Sequence, residues 1–307
     1  MYRNNIINKI DKYLARLFPL NRSILGEENR KTLKILNEIV PIKVLEYPSG
    51  TNVYDWQIPD EWNVKEAWIK DDKGKKIIDY KVNNIHLVSY SKPIKKKINF
   101  NNLKKHLFFD KNKKNAIPYR TSYYKRDWGF CITYNQFKNL KKTKGLFEVF
   151  IDSKFNPKGS LTVGELLIPG TLKEEILIST YFCHPSLAND NLSGTLLTTF
   201  LASELLKKRK LKYSYRFLWL PETIGAIAYS YMNEKTLKKI KNGLVISTVG
   251  GPGKFSYKQS WDKHNSINNY VEKTFKDLKK KFICYPFDVH GSDERQFSSI
   301  GFRINVI

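Results

Sequence analysis

Three residues with the chemistry of a metal site, His184, Asp190 and Glu222, follow the ends of short apolar runs. His184 and Asp190 lie in the stretch YFCHPSLANDNLSG (181–194), and Glu222 ends the stretch YRFLWLPE (215–222). An imidazole nitrogen and a carboxylate are ordinary zinc ligands, and a carboxylate outside the ligand set can act as general base on metal-bound water. This combination of residue types predicts a metal-assisted hydrolytic site.

Each candidate also has a structural interpretation. His184 precedes a proline after a strand and could be a satisfied structural histidine, while Asp190 could stabilise an Asx turn or a helix N-terminus. Glu222 could interact favourably with a helix dipole. Cys183 beside His184 suggests a cysteine nucleophile, but adjacent residues of an extended chain point to opposite faces, which argues against a Cys–His pair. We favour the metal site because the three candidates converge on one edge of a sheet.

The elements that must position these residues alternate between strands and helices. Short apolar runs predict strands at 164–170, 174–180, 215–220, 243–248 and 302–307, and helical periodicity predicts helices at 4–18, 27–40, 193–210, 224–240 and 266–281. The alternation predicts an α/β fold with helices on both faces of a mostly parallel central sheet. Ligands bind beyond the C-terminal ends of the strands in such a sheet, which is where the candidates fall.

A different pattern between residues 45 and 100 predicts a small inserted β-rich domain. Short alternating stretches are separated by turn signals, and the segments 64–69 and 77–80 read as a hairpin joined across DDKGK. We therefore expect an N-terminal helical part at 1–48, the inserted domain at 49–118 and the main α/β domain at 119–307.

Composition limits the other function classes. The 54 Lys and Arg residues outnumber the 29 Asp and Glu residues, giving a net charge of +25, and Lys and Phe interleave at 95–114. No helix-turn-helix, RNP or zinc-finger signature accompanies this charge, so we expect a solvated surface and no nucleic-acid partner. Three scattered Cys, no signal-peptide pattern and no apolar run near ~18 residues predict a cytoplasmic protein without a membrane partner. A homo-oligomer stays open.

Several long motifs resemble one known family in order and spacing. They are HPSLANDNLSG, LPETIGAIAY, GSDERQFSSIGF and, upstream, LFPLNRSILG, VYDWQIPDEWNVKEAWI and IPYRTSYYKRDWGFC. Together they resemble a bacterial family of aminopeptidase-like proteins, within the zinc-dependent co-catalytic aminopeptidase superfamily, that carries a small inserted domain of unknown function. The resemblance implies that His184 and Asp190 are metal ligands and that Glu222 is the general base. It also implies that Asp293 lies beside the active site.

The sequence departs from the superfamily pattern at four places. Ser186 stands where an Asp usually orients the ligand His, and Thr223 stands where a second Glu is usual. Only Ser247 and Thr248 occupy the place of a third carboxylate. A final His ligand is expected beyond Ile307, so we expect that C-terminal strands are missing and that a sheet edge or apolar face is left exposed. Glu222, Asp293 and His290 are the candidates for a third ligand.

The resemblance implies a zinc-dependent aminopeptidase-like hydrolase that acts on a small peptide or amide through metal-activated water. One or two zinc ions are expected, and a second ion would lack ligands, because a catalytic zinc needs at least three protein ligands. The alternative is a catalytically impaired or inactive aminopeptidase-like protein with a binding or assembly role.

Overall fold

The fold is taken from a computed structural model that describes residues 2–288 and 290–307. Within this part of the chain the α-helices are α1 (Tyr2–Leu17), α2 (Glu27–Leu36), α3 (Phe100–Leu103), α4 (Tyr134–Lys142), α5 (Gly194–Leu206), α6 (Ile224–Met232), α7 (Glu234–Leu237), α8 (Ser266–Asp277) and α9 (Glu294–Phe297). Short 3₁₀ turns span Asn84–His86 and Lys104–His106, and a π-helical turn spans Ala188–Ser193.

The strands of the described residues belong to two larger sheets and three short pairs. They are β1 (Lys43–Pro48), β2 (Asn52–Val53), β3 (Trp56–Gln57), β4 (Glu61–Lys70), β5 (Lys76–Asp79), β6 (Ile94–Ile98), β7 (Leu107–Phe108), β8 (Phe130–Cys131), β9 (Phe147–Asn156), β10 (Ser160–Ile168), β11 (Glu175–Tyr181), β12 (Ser214–Leu220), β13 (Asn242–Val245), β14 (Phe255–Lys258), β15 (Phe282–Tyr285) and β16 (Asn305–Val306).

The central sheet of the described chain is mixed and has the strand order β1-β10-β12-β11-β13-β16. The four strands β12, β11, β13 and β16 are parallel, whereas β1 and β10 join one side in antiparallel pairing. The central strands β11 and β12 are buried over most of their length, as expected for strands covered on both faces. The predicted α/β class is confirmed, and the sheet itself is mixed.

Helices pack on both faces of this sheet because successive strand residues point to opposite sides. Ile178, Phe217 and Trp219 contribute to one apolar cluster, which also contains buried residues of α1, α2 and α5. Leu177 and Leu218 contribute to the other, with buried residues of α6, α7 and α9. The parallel strands are therefore held between two helical layers, and their C-terminal ends open at one edge.

A second, antiparallel sheet has the order β5-β4-β9-β6. The predicted hairpin is present, because Trp68 pairs with Asp79 and Ile69 with Ile78. The sheet takes β9 (Phe147–Asn156) from beyond the predicted limit at residue 118, so the chain returns to it after α4. As a division into domains, 1–48, 49–118 and 119–307 stays a prediction.

Several predicted elements are longer than the observed ones, and two of these differences have a local cause. The helix predicted at 224–240 is interrupted at Asn233, which leaves helical geometry with φ −124° and donates its backbone N–H to Tyr229 O at 2.9 Å. The predicted strand at 302–307 shrinks to Asn305–Val306, because the preceding turn places Arg303 at φ +51° and its N–H bonds Ser299 O. At both places a local turn ends the regular element.

An apolar cleft of about 1030 Å³ runs along one face of the central sheet. Ile176, Leu244 and Ile246 line it from the strands, and Ile267 and Val271 line it from α8. The cleft therefore lies between these strands and α8.

Candidate functional site

The structure brings His184, Asp190 and Glu222 together at the C-terminal edge of the parallel strands. His184 follows β11, and Glu222 follows the neighbouring strand β12. His184 Nδ1 lies 3.4 Å from Asp190 Oδ1, and His184 Nε2 lies 3.4 Å from Glu222 Oε2. One imidazole therefore sits between two carboxylates, although the three residues are spread over 39 positions of sequence from 184 to 222.

Burial and charge set the protonation of this group. The His184 side chain is 12% exposed, against 46% for Asp190 and 28% for Glu222. Burial alone would lower the pKa of His184, but the acidic groups of Cys183, Asp190 and Glu222 outweigh it and the net direction is upward. Burial alone would raise the pKa of Asp190, and the interaction with His184 lowers it overall. Without a metal, the imidazolium neutralises part of the negative charge.

Tyr181, the last residue of β11, completes the surroundings of Asp190. Its hydroxyl donates a hydrogen bond of 2.7 Å to Asp190 Oδ1, and its ring lies edge-on to the His184 ring at a centroid distance of 5.4 Å. Burial, and then the negative charge of Asp190, raise the pKa of Tyr181 well above its usual range. Tyr181 therefore remains a donor that orients the Asp190 carboxylate over the accessible pH range.

Asn191 links the ends of two strands beneath the site. Its Nδ2 donates to Tyr181 O at 3.0 Å and to Ile246 O at 3.3 Å, and its Oδ1 accepts from Thr248 N at 2.9 Å. Gly194 N also donates to Asn191 Oδ1, and a Cβ at position 194 would collide with that oxygen and with Ile246 O. The Asn191 amide therefore connects the turn to both strands.

Glu222 begins a tight turn into α6. Ile224 N donates to Glu222 O at 2.7 Å across Thr223, which has φ +63° and ψ −64°. This is a γ-turn of the rarer hand, a conformation that stores strain of about 1–3 kcal/mol. Glu222 N in turn donates to Cys183 Sγ at 3.2 Å, so the buried thiol supports the general-base candidate from below.

Asp293 lies behind this turn and is fully buried. Its Oδ1 accepts from Thr223 N at 2.6 Å, whereas its Oδ2 has no hydrogen-bond partner among the described residues. His290, the other third-ligand candidate, is exposed, and its carbonyl accepts from Lys258 Nζ. The structure thus places Asp293 next to Glu222 through the backbone, and it does not bring His290 to the imidazole.

The donor atoms at His184 and Asp190 meet part of what zinc requires. His184 Nδ1 is buried without a hydrogen-bond partner, and its 3.4 Å distance to Asp190 Oδ1 equals the ~3.4 Å expected between two ligands on one tetrahedral zinc. Within residues 2–288 and 290–307, however, no group of three or more His, Cys, Asp or Glu side chains is arranged to hold a metal ion. His184 and Asp190 fit as a two-residue donor pair, one short of the three protein ligands of a catalytic zinc.

Fold and site together define an aminopeptidase-like α/β protein. Residues 11–307 match the family described as a domain of unknown function (DUF4910), and the chain belongs to that family. It is 47% identical over 298 residues to a protein of Clostridium acetobutylicum. The name of that relative describes an inferred polysaccharide biosynthesis protein with an aminopeptidase-like domain. That match covers 97% of this chain and 68% of the relative.

Solved structures agree with this assignment. The crystal structure of an inferred peptidase from Clostridium acetobutylicum superimposes on this chain with a TM-score of 0.94. It shares 46% identity, over 97% of this chain and 70% of that chain. A zinc aminopeptidase from Bacillus subtilis superimposes with a TM-score of 0.65 at 13% identity, over 97% of this chain and 83% of that chain, which shows a common fold. The resemblance to the aminopeptidase-like family is confirmed.

Among the described helices, none has the length and apolar character needed to cross a bilayer.

Sequence reasoning missed Tyr181, and it missed the supporting role of Cys183 and Asn191. Tyr181 lies only three positions before His184, so a strand-end hydroxyl next to a candidate ligand was a readable signal. Cys183 contacts Glu222, which lies 39 positions away, and the distant partners of Asn191, Ile246 and Thr248, lie 55 and 57 positions away. Those contacts depend on which strands are neighbours in the sheet, and the local sequence does not contain that information.

Proposed function

We propose that this protein is a zinc-dependent hydrolase of aminopeptidase type that acts on a small peptide or amide. His184 and Asp190 would hold the metal, and Glu222 would act as general base. The observation that carries the proposal is the placement of the buried His184 ring between two carboxylates at the C-terminal edge of the parallel strands. This edge is where open α/β sheets bind their ligands.

Zinc at this place would supply a Lewis acid for the scissile carbonyl and would lower the pKa of bound water toward ~7. Glu222 is partly exposed, so its carboxylate can reach a water molecule and accept a proton from it. The same carboxyl group can then deliver the proton to the leaving amine. Tyr181 keeps Asp190 oriented during these steps, and the γ-turn at Thr223 fixes the backbone of Glu222.

A cavity beside the site supports a small substrate. It has a volume of about 590 Å³ and is lined by Lys111, Tyr119 and Arg120 among other residues. Tyr119 is shared with the site, because its ring lies edge-on to the His184 ring at 5.2 Å. The cavity volume suits a ligand of a few residues or sugars. Its wall carries the cationic side chains of Lys111 and Arg120 and the carboxylate of Asp110, so it offers partners for both charges of a zwitterionic ligand.

A second candidate function is a non-catalytic binding or assembly role. The absence of a three-residue metal group among the described residues favours it, together with Thr223 and Ser247 at positions where carboxylates were expected. The name of the Clostridium acetobutylicum relative would place such a module in polysaccharide biosynthesis. This function predicts ligand binding in the cavity without turnover.

One experiment separates the two functions. The purified protein is assayed for bound metal by mass spectrometry and for hydrolysis of aminoacyl-nitroanilides with added zinc. Glu222→Gln should retain zinc and lose turnover by roughly 10²–10⁴-fold, because it removes the general base. Glu174→Gln, an exposed carboxylate before the opposite end of β11, should behave as the parent. Absence of bound zinc in the parent protein, or full activity of Glu222→Gln, would overturn the hydrolase proposal.

A further inference from the structure

Arg22 is a fully buried arginine that has no carboxylate within ion-pair distance among the described residues. Its relative exposure is 0%, and within the described residues it forms no ion pair with Asp or Glu. A buried charge without a counter-ion is costly unless strong hydrogen bonds replace its water. Its position inside the LFPLNRSILG segment, which the site described above does not use, raises the question of what this charge does.

Three backbone carbonyls satisfy the Arg22 guanidinium. Nε donates to Phe182 O at 2.8 Å, Nη2 donates to His184 O at 2.8 Å, and Nη1 donates to Leu17 O. Leu17 is the last residue of α1, so its carbonyl belongs to the negative end of that helix and suits a cation. The other two carbonyls belong to the residues on either side of Cys183.

The two contacts at 182 and 184 fix the main chain that carries the candidate metal ligand. With both carbonyl directions held by one rigid, planar fork, the direction of the His184 side chain has little freedom. A second bond joins the same two segments, because Ser186 Oγ donates to Phe18 O at 3.0 Å. The chain from Leu17 to Arg22 is therefore a support for the segment from Phe182 to Ser186.

We infer that Arg22 is a positioning residue that holds the His184 backbone so that its imidazole faces Asp190 and Glu222. The Arg22 guanidinium bonds backbone carbonyls and no side chain of the candidate site, so it acts through the carbonyls of Phe182 and His184. The inference rests on the proposed function in so far as His184 is a metal ligand. The geometric part, control of the ring direction, stands without a metal.

The test compares two matched variants, Arg22→Lys and Arg216→Lys. Both replace a buried guanidinium with an ammonium, which keeps the charge and loses the planar fork. Arg216 is also buried, but it pairs with Glu165 and Glu175 nearer the opposite end of the strands. Zinc affinity is measured by chelator competition, unfolding by thermal melting, and the His184 ring by NMR in metal-free protein, with His184→Gln used for assignment.

We expect Arg22→Lys to weaken zinc binding by roughly 10–100-fold, the range typical for outer-shell partners of metal ligands. Its His184 ring resonances should shift. Arg216→Lys should lower the melting temperature while leaving zinc affinity and the His184 resonances as in the parent. If Arg22→Lys does not fold, Arg22→Gln replaces it, because glutamine is neutral and does not bury a positive charge that lacks hydrogen-bond acceptors.

The outcomes separate the two ideas. Parent-like zinc affinity and parent-like His184 resonances in the Arg22 variant overturn the inference. A parent protein that binds no zinc overturns the proposed function, and the NMR comparison then decides the inference alone. Equal shifts of the His184 resonances in both variants would show general loosening and would also overturn it.

Discussion

The buried carboxylate of Asp293 accepts a hydrogen bond of 2.6 Å from the backbone N–H of Thr223, the residue directly after Glu222. This bond supports a strained turn, in which Thr223 has φ +63°. Burial raises the pKa of Asp293 well above its usual range, the Thr223 N–H acts in the opposite direction, and nearby Glu222 raises the pKa further. The residue expected to lie beside the active site is thus tied to the general-base candidate through the backbone.

The raised pKa of Asp293 predicts a pH-dependent stability. Between the unfolded pKa near ~3.9 and the higher folded value, the folded protein binds more protons than the unfolded chain. The contribution of Asp293 to the free energy of unfolding therefore falls as pH rises through that window. Asp293→Asn keeps the Oδ1 acceptor and removes this titration, so it should gain stability relative to the parent between pH 5 and pH 8. Urea unfolding at both pH values measures the difference.

Asp293→Ala is the control for the hydrogen bond itself. It leaves the buried Thr223 N–H without an acceptor and should cost about 1–3 kcal/mol. A parent and an Asp293→Asn variant whose unfolding free energies change in parallel from pH 5 to pH 8 would contradict the titration.

Zinc binding should become tighter as pH rises. The pKa of His184 lies above its usual range, so the imidazole must release a proton before it can bind a metal. One released proton corresponds to about a tenfold change in affinity per pH unit. Chelator competition from pH 6 to pH 8 measures this slope. His184→Gln should abolish binding and Asp190→Asn should weaken it, while His264→Gln, at an exposed position, should leave it unchanged. Zinc affinity that is flat with pH would exclude His184 as the ligand that deprotonates.

The alternation of strands and helices was readable from the sequence because each element carries its own periodicity. The hairpin at 64–69 and 77–80 is an example, since its turn and its apolar alternation lie within one short segment. The return of Phe147–Asn156 to the second sheet was not predicted. That pairing depends on partners 78 to 95 positions earlier on β4 and 49 to 57 positions earlier on β6, and no local pattern in β9 indicates which sheet it joins.

The candidate site shows the same limit. The motif residues His184, Asp190 and Glu222 were identified by residue type and place, and the structure brings them together. Arg22 and Tyr181 depend on side-chain direction and on chain packing over as many as 162 positions. A buried arginine with only carbonyl partners also contradicts the ordinary expectation that a charged residue is exposed. Its role follows from the fold and cannot be read from the local sequence.

Removing the Tyr181 hydroxyl should weaken the site more than the fold. Tyr181→Phe deletes the hydroxyl that donates to Asp190 Oδ1. A hydrogen bond to a charged acceptor typically contributes about 1.5–3 kcal/mol to stability. We expect a loss at the lower end of that range, because the Asp190 side chain is partly exposed. The pKa of Asp190 is lower in the folded protein than in the unfolded chain. The ionised Asp190 carboxylate therefore stabilises the fold above the pKa that it has in the unfolded chain, and this stabilisation is lost as pH falls through its pKa in the folded protein. The cost of Tyr181→Phe should therefore shrink in acid.

Tyr257→Phe is the matched control for that prediction. Its hydroxyl donates to Glu272 Oε1 at 2.6 Å, away from His184, and its ring is also largely buried. Both variants should lose stability at neutral pH, but only Tyr181→Phe should lower zinc affinity and turnover. Equal effects of the two substitutions on zinc affinity would refute an orienting role for Tyr181.

Arg30 should be a strong link between α2 and the second sheet. Its guanidinium contacts Glu61 on β4, at 2.5 Å, and Glu46 on β1, at 3.2 Å, and Glu61 is only 4% exposed. Arg30→Ala leaves Glu61 as a buried carboxylate without its cation. Such losses cost about 3–5 kcal/mol when both partners are buried, and we expect roughly 2–3 kcal/mol because the Arg30 side chain is 29% exposed.

The comparison variant for Arg30 is Lys31→Ala, which removes an exposed pair with Glu28 on the same helix. Exposed pairs contribute about 0–1 kcal/mol, so this change should hardly affect urea unfolding. Hydrogen exchange adds a spatial test: in Arg30→Ala the amides of β4 and its neighbours should lose protection before those of β11 and β12. Uniform loss of protection across both sheets would mean that the ion pair stabilises the whole chain and does not specifically hold the second sheet.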